Sequence, residues 1–138
     1  MPNDCYNGME VSGTPEALQQ FKDSLALPNI KGESVPFAFS QLVPVPEDQK
    51  NNWYEWCYAN WSTKWEPYDV DISIFEKSVE ISFYTAWGPP INWIRAVCKK
   101  IPDLVINLNY EEPGMDLYGE ISAGGDYFSD CANEAPEE

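Results

Sequence analysis

The chain has 138 residues, 43% of them hydrophobic and 14% aromatic, and its 23 acidic against 8 basic side chains give a formal net charge of −15. That length and apolar content fit one packed domain rather than a disordered chain, and no run approaches the roughly 20 apolar residues of a membrane-spanning helix. A field this negative disfavours direct contact with nucleic acid or anionic membrane, and the absence of histidine removes the commonest general base and a common metal ligand.

Residues Cys5 to Val11 alternate and end at Gly13, which predicts a first strand. Thr14-Pro15-Glu16 then supplies an N-cap, a proline at the first helical position and an acid in the first turn. Leu18, Phe21 and Leu25 follow at helical spacing, and the helix is expected to end near Leu27, before Pro28. Pro28, Pro36, Pro44 and Pro46 mark a long, stiff connection with a short extended piece over Val35 to Leu42. The aromatic block from Trp53 to Trp61 predicts a short helix with Trp53, Trp56, Cys57 and Asn60 on one face. Asn60-Trp61-Ser62-Thr63-Lys64-Trp65 reads as a compact turn. Val70-Asp71-Ile72-Ser73 and Val79-Glu80-Ile81-Ser82-Phe83 have period two and form a hairpin with one buried face, leaving Asp69 and Asp71 to solvent.

A second helix starts after Pro89-Pro90. Its apolar stripe is Ile91, Ile94, Val97, Cys98 and Ile101, with Lys99 and Lys100 in the last turn and Pro102 as the stop. Leu104 to Tyr110 alternates again. Glu111-Glu112-Pro113-Gly114 is expected as a turn, and Asp116 to Ser122 as a last strand. The order predicts an α+β, ferredoxin-like (split βαβ) domain. It has one antiparallel sheet with two main helices on one face, a short aromatic-rich helix and an extra C-terminal strand. The domain is expected over residues 1–125, followed by an acidic tail over 126–138.

Cys5, Cys57, Cys98 and Cys131 are far apart and form no C-x-x-C pair, so neither a metal nor another cofactor is expected. The start, Met1-Pro2-Asn3-Asp4, lacks the pattern of a signal peptide, and the thiols are read as free in a reducing, cytoplasmic compartment.

Three segments carry a family resemblance. They are Phe37-Ala38-Phe39-Ser40-Gln41-Leu42-Val43-Pro44-Val45-Pro46, Asn60-Trp61-Ser62-Thr63-Lys64-Trp65 and Thr85-Ala86-Trp87-Gly88-Pro89-Pro90; Tyr110-Glu111-Glu112-Pro113-Gly114 follows in order. Together they resemble the YubB-like family of phage and plasmid proteins, over about Pro2 to about Gly125. The resemblance implies a ferredoxin-like fold and a mobile-element setting, and it supplies no activity and no catalytic residue.

Chemistry-bearing constellations are few. There is no Gly-rich phosphate loop, no G-x-S-x-G and no nucleophile–base pair, so no catalytic residue is assigned. Glu111-Glu112 and Asp69-x-Asp71 read as solvated charge, and a basic–aromatic RNA-binding signature is missing. After Lys100 there is no Lys or Arg, while acids recur to the end. The leading expectation is therefore a non-enzymatic accessory protein that engages a basic host or defence protein, in the manner of a nucleic-acid mimic, through Glu111, Glu112, Asp116, Glu120, Asp126 and Asp130. A second is a small-ligand (nucleotide) module using Trp61, Lys64, Trp65 and Trp87, although those tryptophans serve packing more readily than an exposed patch. A third is a structural domain whose extra strand pairs edge to edge in a homodimer.

Overall fold

Alternation along the strands sorts their side chains onto two unlike faces. The computed structural model describes residues 4–86, 88–112 and 117–134. In β1 (Asp4–Gly13), Cys5, Asn7, Met9 and Val11 are buried while Tyr6 and Glu10 are exposed. In β3 (Val79–Ala86) the alternating buried set is Val79, Ile81, Phe83 and Thr85, with Ala86 also buried at its end, and in β4 (Leu104–Glu112) it is Leu104, Ile106, Leu108, Tyr110 and Glu112. With β2 (Tyr68–Ile74), β5 (Leu117–Gly124) and β6 (Tyr127–Glu134) they make one antiparallel sheet in the order β2-β3-β1-β4-β5-β6.

Two helices cover one face of this sheet. Helix α1 (Pro15–Ser24) begins at Thr14, whose hydroxyl accepts from the Ala17 N–H at 3.2 Å, and it buries Ala17, Leu18 and Phe21. Two further helices are α2 (Trp53–Trp61) and α3 (Ile91–Lys100). Helix α3 buries Trp93, Ile94, Val97 and Cys98 in the same core as the inward residues of β1, β3 and β4, while α2 packs mainly on α3. The α+β ferredoxin-like expectation holds: β1-α1-β2-β3-α3-β4 is the split βαβ unit.

The structure departs from the sequence reading in three places. The first is the acidic tail. Residues beyond Gly125 continue the sheet: Gly125, at φ 57°, and Asp126 form a two-residue turn, and β6 pairs with β5 from Gly124↔Tyr127 to Leu117↔Glu134. A strand needs backbone partners more than apolar side chains, which is why composition alone hid it. Second, Val35 to Leu42 is not an extended piece. Phe39–Gln41 is a turn of 3₁₀-helix, and Phe37, Phe39 and Leu42 are buried. Third, Glu111 and Glu112 belong to β4 rather than to a turn; Pro113 and Gly114 lie outside the described residues.

Two polar side chains hold the long connection in place. The Glu66 carboxylate accepts from the backbone N–H groups of Ile30, Phe39 and Ser40 at 2.7–3.2 Å and from the Ser40 hydroxyl at 2.5 Å. The Gln41 amide donates to the carbonyls of Leu25 and Leu27, while its oxygen accepts from the Ala38 N–H. The connection's aromatic rings can then enter the core, where Phe39 meets Trp61, Phe83 and Trp93 at centroid distances of 5.1–5.8 Å.

Candidate interaction face

Among the described residues, no helix lies over the face of the sheet opposite α1 and α3. Strand register arranges its side chains in three rows that run across the strands. The first is Tyr68, Tyr84, Tyr6, Glu111 and Tyr118; the second is Asp71, Ser82, Gly8, Asn109 and Glu120; the third is Ser73, Glu80, Glu10, Asn107 and Ser122. Glu10, Asp71, Glu80, Glu111 and Glu120 are all exposed. No lysine or arginine stands in any of the six strands. Lys22 is on α1, Arg95, Lys99 and Lys100 are on α3, and Lys31, Lys50, Lys64 and Lys77 are in connecting segments. Among the described residues, no three metal-ligating side chains are grouped to hold an ion. The carboxylates are dispersed over the face, a pattern suited to contact with an extended surface.

The acids singled out from the sequence do not form one set. Glu111 and Glu120 lie on the open face. Glu112 points to the helix side, 6% exposed, and its Oε1 has no hydrogen-bond partner; burial raises its pKa. Asp130 pairs with Ile121 in register, on the helix side, and accepts from the Tyr110 hydroxyl at 2.9 Å. Burial and that carboxylate together push the Tyr110 pKa up. Asp126 is exposed in the β5–β6 turn, and Asp116 lies outside the described residues. Glu10 and Glu80, neighbours across β1 and β3, were not singled out. Each stands between apolar residues (Met9 and Val11, Val79 and Ile81), which marked them as outward-facing; their pairing depends on register that alternation does not give.

The tryptophan motif turns out to be a splice between helices. Trp61 is fully buried, with its Nε1 donating to the Val43 carbonyl at 2.9 Å, so it belongs to no surface patch. Ser62 closes α2 in the left-handed region (φ 66°), and its hydroxyl accepts from the Asn92 N–H at the start of α3. Asn92 in turn donates to the Ala59 carbonyl. Trp53 and Trp56 are half-buried and Cys57 buried, as their shared face predicts, but Asn60 is exposed. Lys64 lies 5.9 Å from the Trp65 ring centre, and Trp87 is outside the described residues. A separate groove of about 320 Å³ is lined by Ile30, Lys31, Trp53, Tyr54, Trp65 and Glu66, with Trp53 and Tyr54 stacked at 4.0 Å.

All four cysteines are free. Cys5 and Cys57 are buried, and burial first, then the charge of Glu112 or Glu66 respectively, pushes each thiol up to about 12. Burial likewise raises Cys98, whereas Cys131 is exposed. The buried thiols are thus poor nucleophiles near neutral pH. Among the described residues, no helix is long and apolar enough to cross a membrane.

A family model described as the ferredoxin-like domain in Api92-like protein matches residues 60–135, more than half of the chain. Its description names Api92-like proteins rather than the YubB-like proteins that the tryptophan segments resemble. The fold is also similar to the crystal structure of a protein api92 from Yersinia pseudotuberculosis, with a TM-score of 0.65 over 100% of this chain and 99% of that one. Identity to it is 8%, so the likeness speaks to fold alone. No curated protein matches the chain.

Proposed function

This chain belongs to the ferredoxin-like domain family of Api92-like proteins, and from that premise we propose that it is a non-enzymatic accessory protein of a phage or plasmid. It works in the host cytoplasm by binding a basic host or defence protein through the open face of its sheet. One observation carries this reading: five strands present Glu10, Asp71, Glu80, Glu111 and Glu120 on that face, and no strand carries a cation. The carboxylates stand on a hydrogen-bonded lattice, with strands about 4.8 Å apart and successive same-face residues about 6.7 Å apart. A rigid array of dispersed negative charge resembles a phosphate backbone to a protein that handles nucleic acid. Desolvating such charges stabilises a complex only where the partner supplies paired cations, which gives selectivity for basic surfaces.

The test is capture from host lysate by the tagged protein, at low and high salt. The comparison is with a variant carrying Glu10→Gln, Asp71→Asn, Glu80→Gln, Glu111→Gln and Glu120→Gln. The expected result is one basic or nucleic-acid-handling protein that is eluted by salt and lost in the variant. Equal capture by the variant would overturn the reading.

The groove beside Trp53, Tyr54 and Trp65 supports a second reading, a small planar ligand such as a nucleotide stacked on the aromatic rings beside Lys31. It predicts quenching of tryptophan fluorescence on titration with ATP and loss of that quenching in Trp65→Leu; an unquenched wild type would end it.

A further inference from the structure

The open face holds more than charge. Its middle row is low at the centre: a Cβ added to Gly8 would meet no atom within 4 Å, and its neighbours there are Ser82 and Asn109. A cavity of about 460 Å³ lies over this floor, lined by Tyr6, Gly8, Glu10, Asp71, Glu80 and Asn109 among others. The two sides of this trough differ chemically. One is Tyr6, from which a run of tyrosines continues along the same row: Tyr84 meets Tyr6 edge-on at 5.4 Å, and Tyr68 and Tyr84 stack at 6.0 Å and 22°. The Tyr68 hydroxyl is fixed by the Asp4 carboxylate, so the end of this wall is held in place. The other side is the directly opposed pair Glu10 and Glu80. Asp71 stands at one end of the floor and Glu120 at the other, four strand spacings or about 19 Å apart.

An aromatic wall facing a carboxylate wall is selective about its cation. Lysine offers a compact, strongly hydrated ammonium that either wall receives alone. Arginine offers a planar group that stacks on a ring and still directs its N–H fork at a carboxylate. The walls are about 13 Å apart at their backbones, four residues along each strand. The floor length matches about six residues of extended chain.

We infer that this trough receives an extended, arginine-bearing segment of a protein partner, with guanidinium groups held between the Tyr6–Tyr84 wall and the Glu10–Glu80 wall. The inference rests on the acidic-face reading above and specifies the chemistry of its partner. A lysine-rich segment would be drawn to the same face and held less well. Among the described residues, no strand-borne cation stands beside these carboxylates.

Calorimetric titration with hexa-arginine and hexa-lysine peptides tests it. Wild type is expected to bind hexa-arginine at least about fivefold more tightly than hexa-lysine. Tyr6→Leu/Tyr84→Leu should bring that ratio close to one while keeping the lysine affinity. Gly8→Leu should weaken both peptides with its thermal unfolding unchanged, because the added side chain enters open space. Gly8→Leu also keeps the test sharp if the tyrosine variant folds poorly. Equal affinity for the two peptides in wild type, an arginine preference that survives in the tyrosine variant, or undiminished binding of both peptides by Gly8→Leu, would overturn the inference. The two failures separate. If Glu10→Gln/Glu80→Gln abolishes capture from lysate but wild type shows no arginine preference, the face binds and the trough assignment falls. If neutralising the carboxylates changes nothing, the acidic-face reading falls with it.

Discussion

Glu112 stands near the end of β4 on the helix side of the sheet, and the cost of its burial sets the sign of a pH effect. Oε1 lacks a partner, and desolvation raises the pKa above the ordinary 4.5. The fold therefore prefers the neutral carboxyl. That preference is fully expressed below the unfolded-state value and is lost as pH rises through the higher folded-state value. Glu112→Gln is expected to stabilise the protein at pH 7 by about 1 kcal/mol, the lower end of the cost of a buried unsatisfied group. The advantage should shrink as pH falls toward 4.5. Urea unfolding of both proteins at several pH values measures it; a constant difference would show that charge is not the cause. This residue was legible as acidic but not as buried, because Glu111 and Glu112 are adjacent and only strand phase tells which one turns inward.

At the scale of elements, β5 and β6 depend on a close fit between Tyr110 and Gly119. These residues are paired in register, and a Cβ at Gly119 would lie 2.5 Å from the Tyr110 ring. Only glycine lets the ring cross β5 to reach Asp130 on β6. Arg95 of α3 adds a second tie, its guanidinium 4.1 Å from the Phe128 ring centre. Gly119→Ala is expected to cost about 1–3 kcal/mol, as overpacking does, and to raise amide exchange first in β6. Tyr110→Phe should cost about 1 kcal/mol, the worth of one hydrogen bond. Hydrogen exchange resolved by strand checks both, and a Gly119→Ala protein with unchanged exchange in β6 would remove this role for the glycine. The sequence made the four-strand unit readable because each strand alternates and each helix has its stop. The β6 strand was hidden by its acids, although Gly125-Asp126 between Ala123 and Phe128 was a hairpin signal. The Trp61 segment was readable as a turn, but the burial of its indole depends on the connection that Glu66 and Gln41 fold over it.

For the whole molecule, a net charge of −15 makes self-repulsion a term in stability. Glu10 opposes Glu80 directly, and like charges so placed are destabilising. Adding salt from about 10 mM to about 0.5 M, where the Debye length falls from about 30 Å to only a few ångströms, is expected to raise the melting temperature. Glu10→Gln should raise it at low salt and have little effect at high salt. Differential scanning calorimetry decides this; an equal gain at both salts would point to packing instead. That Glu10, Asp71, Glu80, Glu111 and Glu120 share one face was beyond composition, since it follows from register across five strands. Four of the eight cations, Lys22, Arg95, Lys99 and Lys100, ride on the two helices behind the sheet. The open face of the sheet thus carries acids with no strand-borne cation, while the helix side mixes these cations with acids such as Glu16 and Asp23 of α1, so the molecule is most uniformly negative on its sheet side. In the field of a basic body it would rotate before it touches, so a larger fraction of collisions begins with the correct side leading. Added salt should then act mainly on how often complexes form and much less on how long they last.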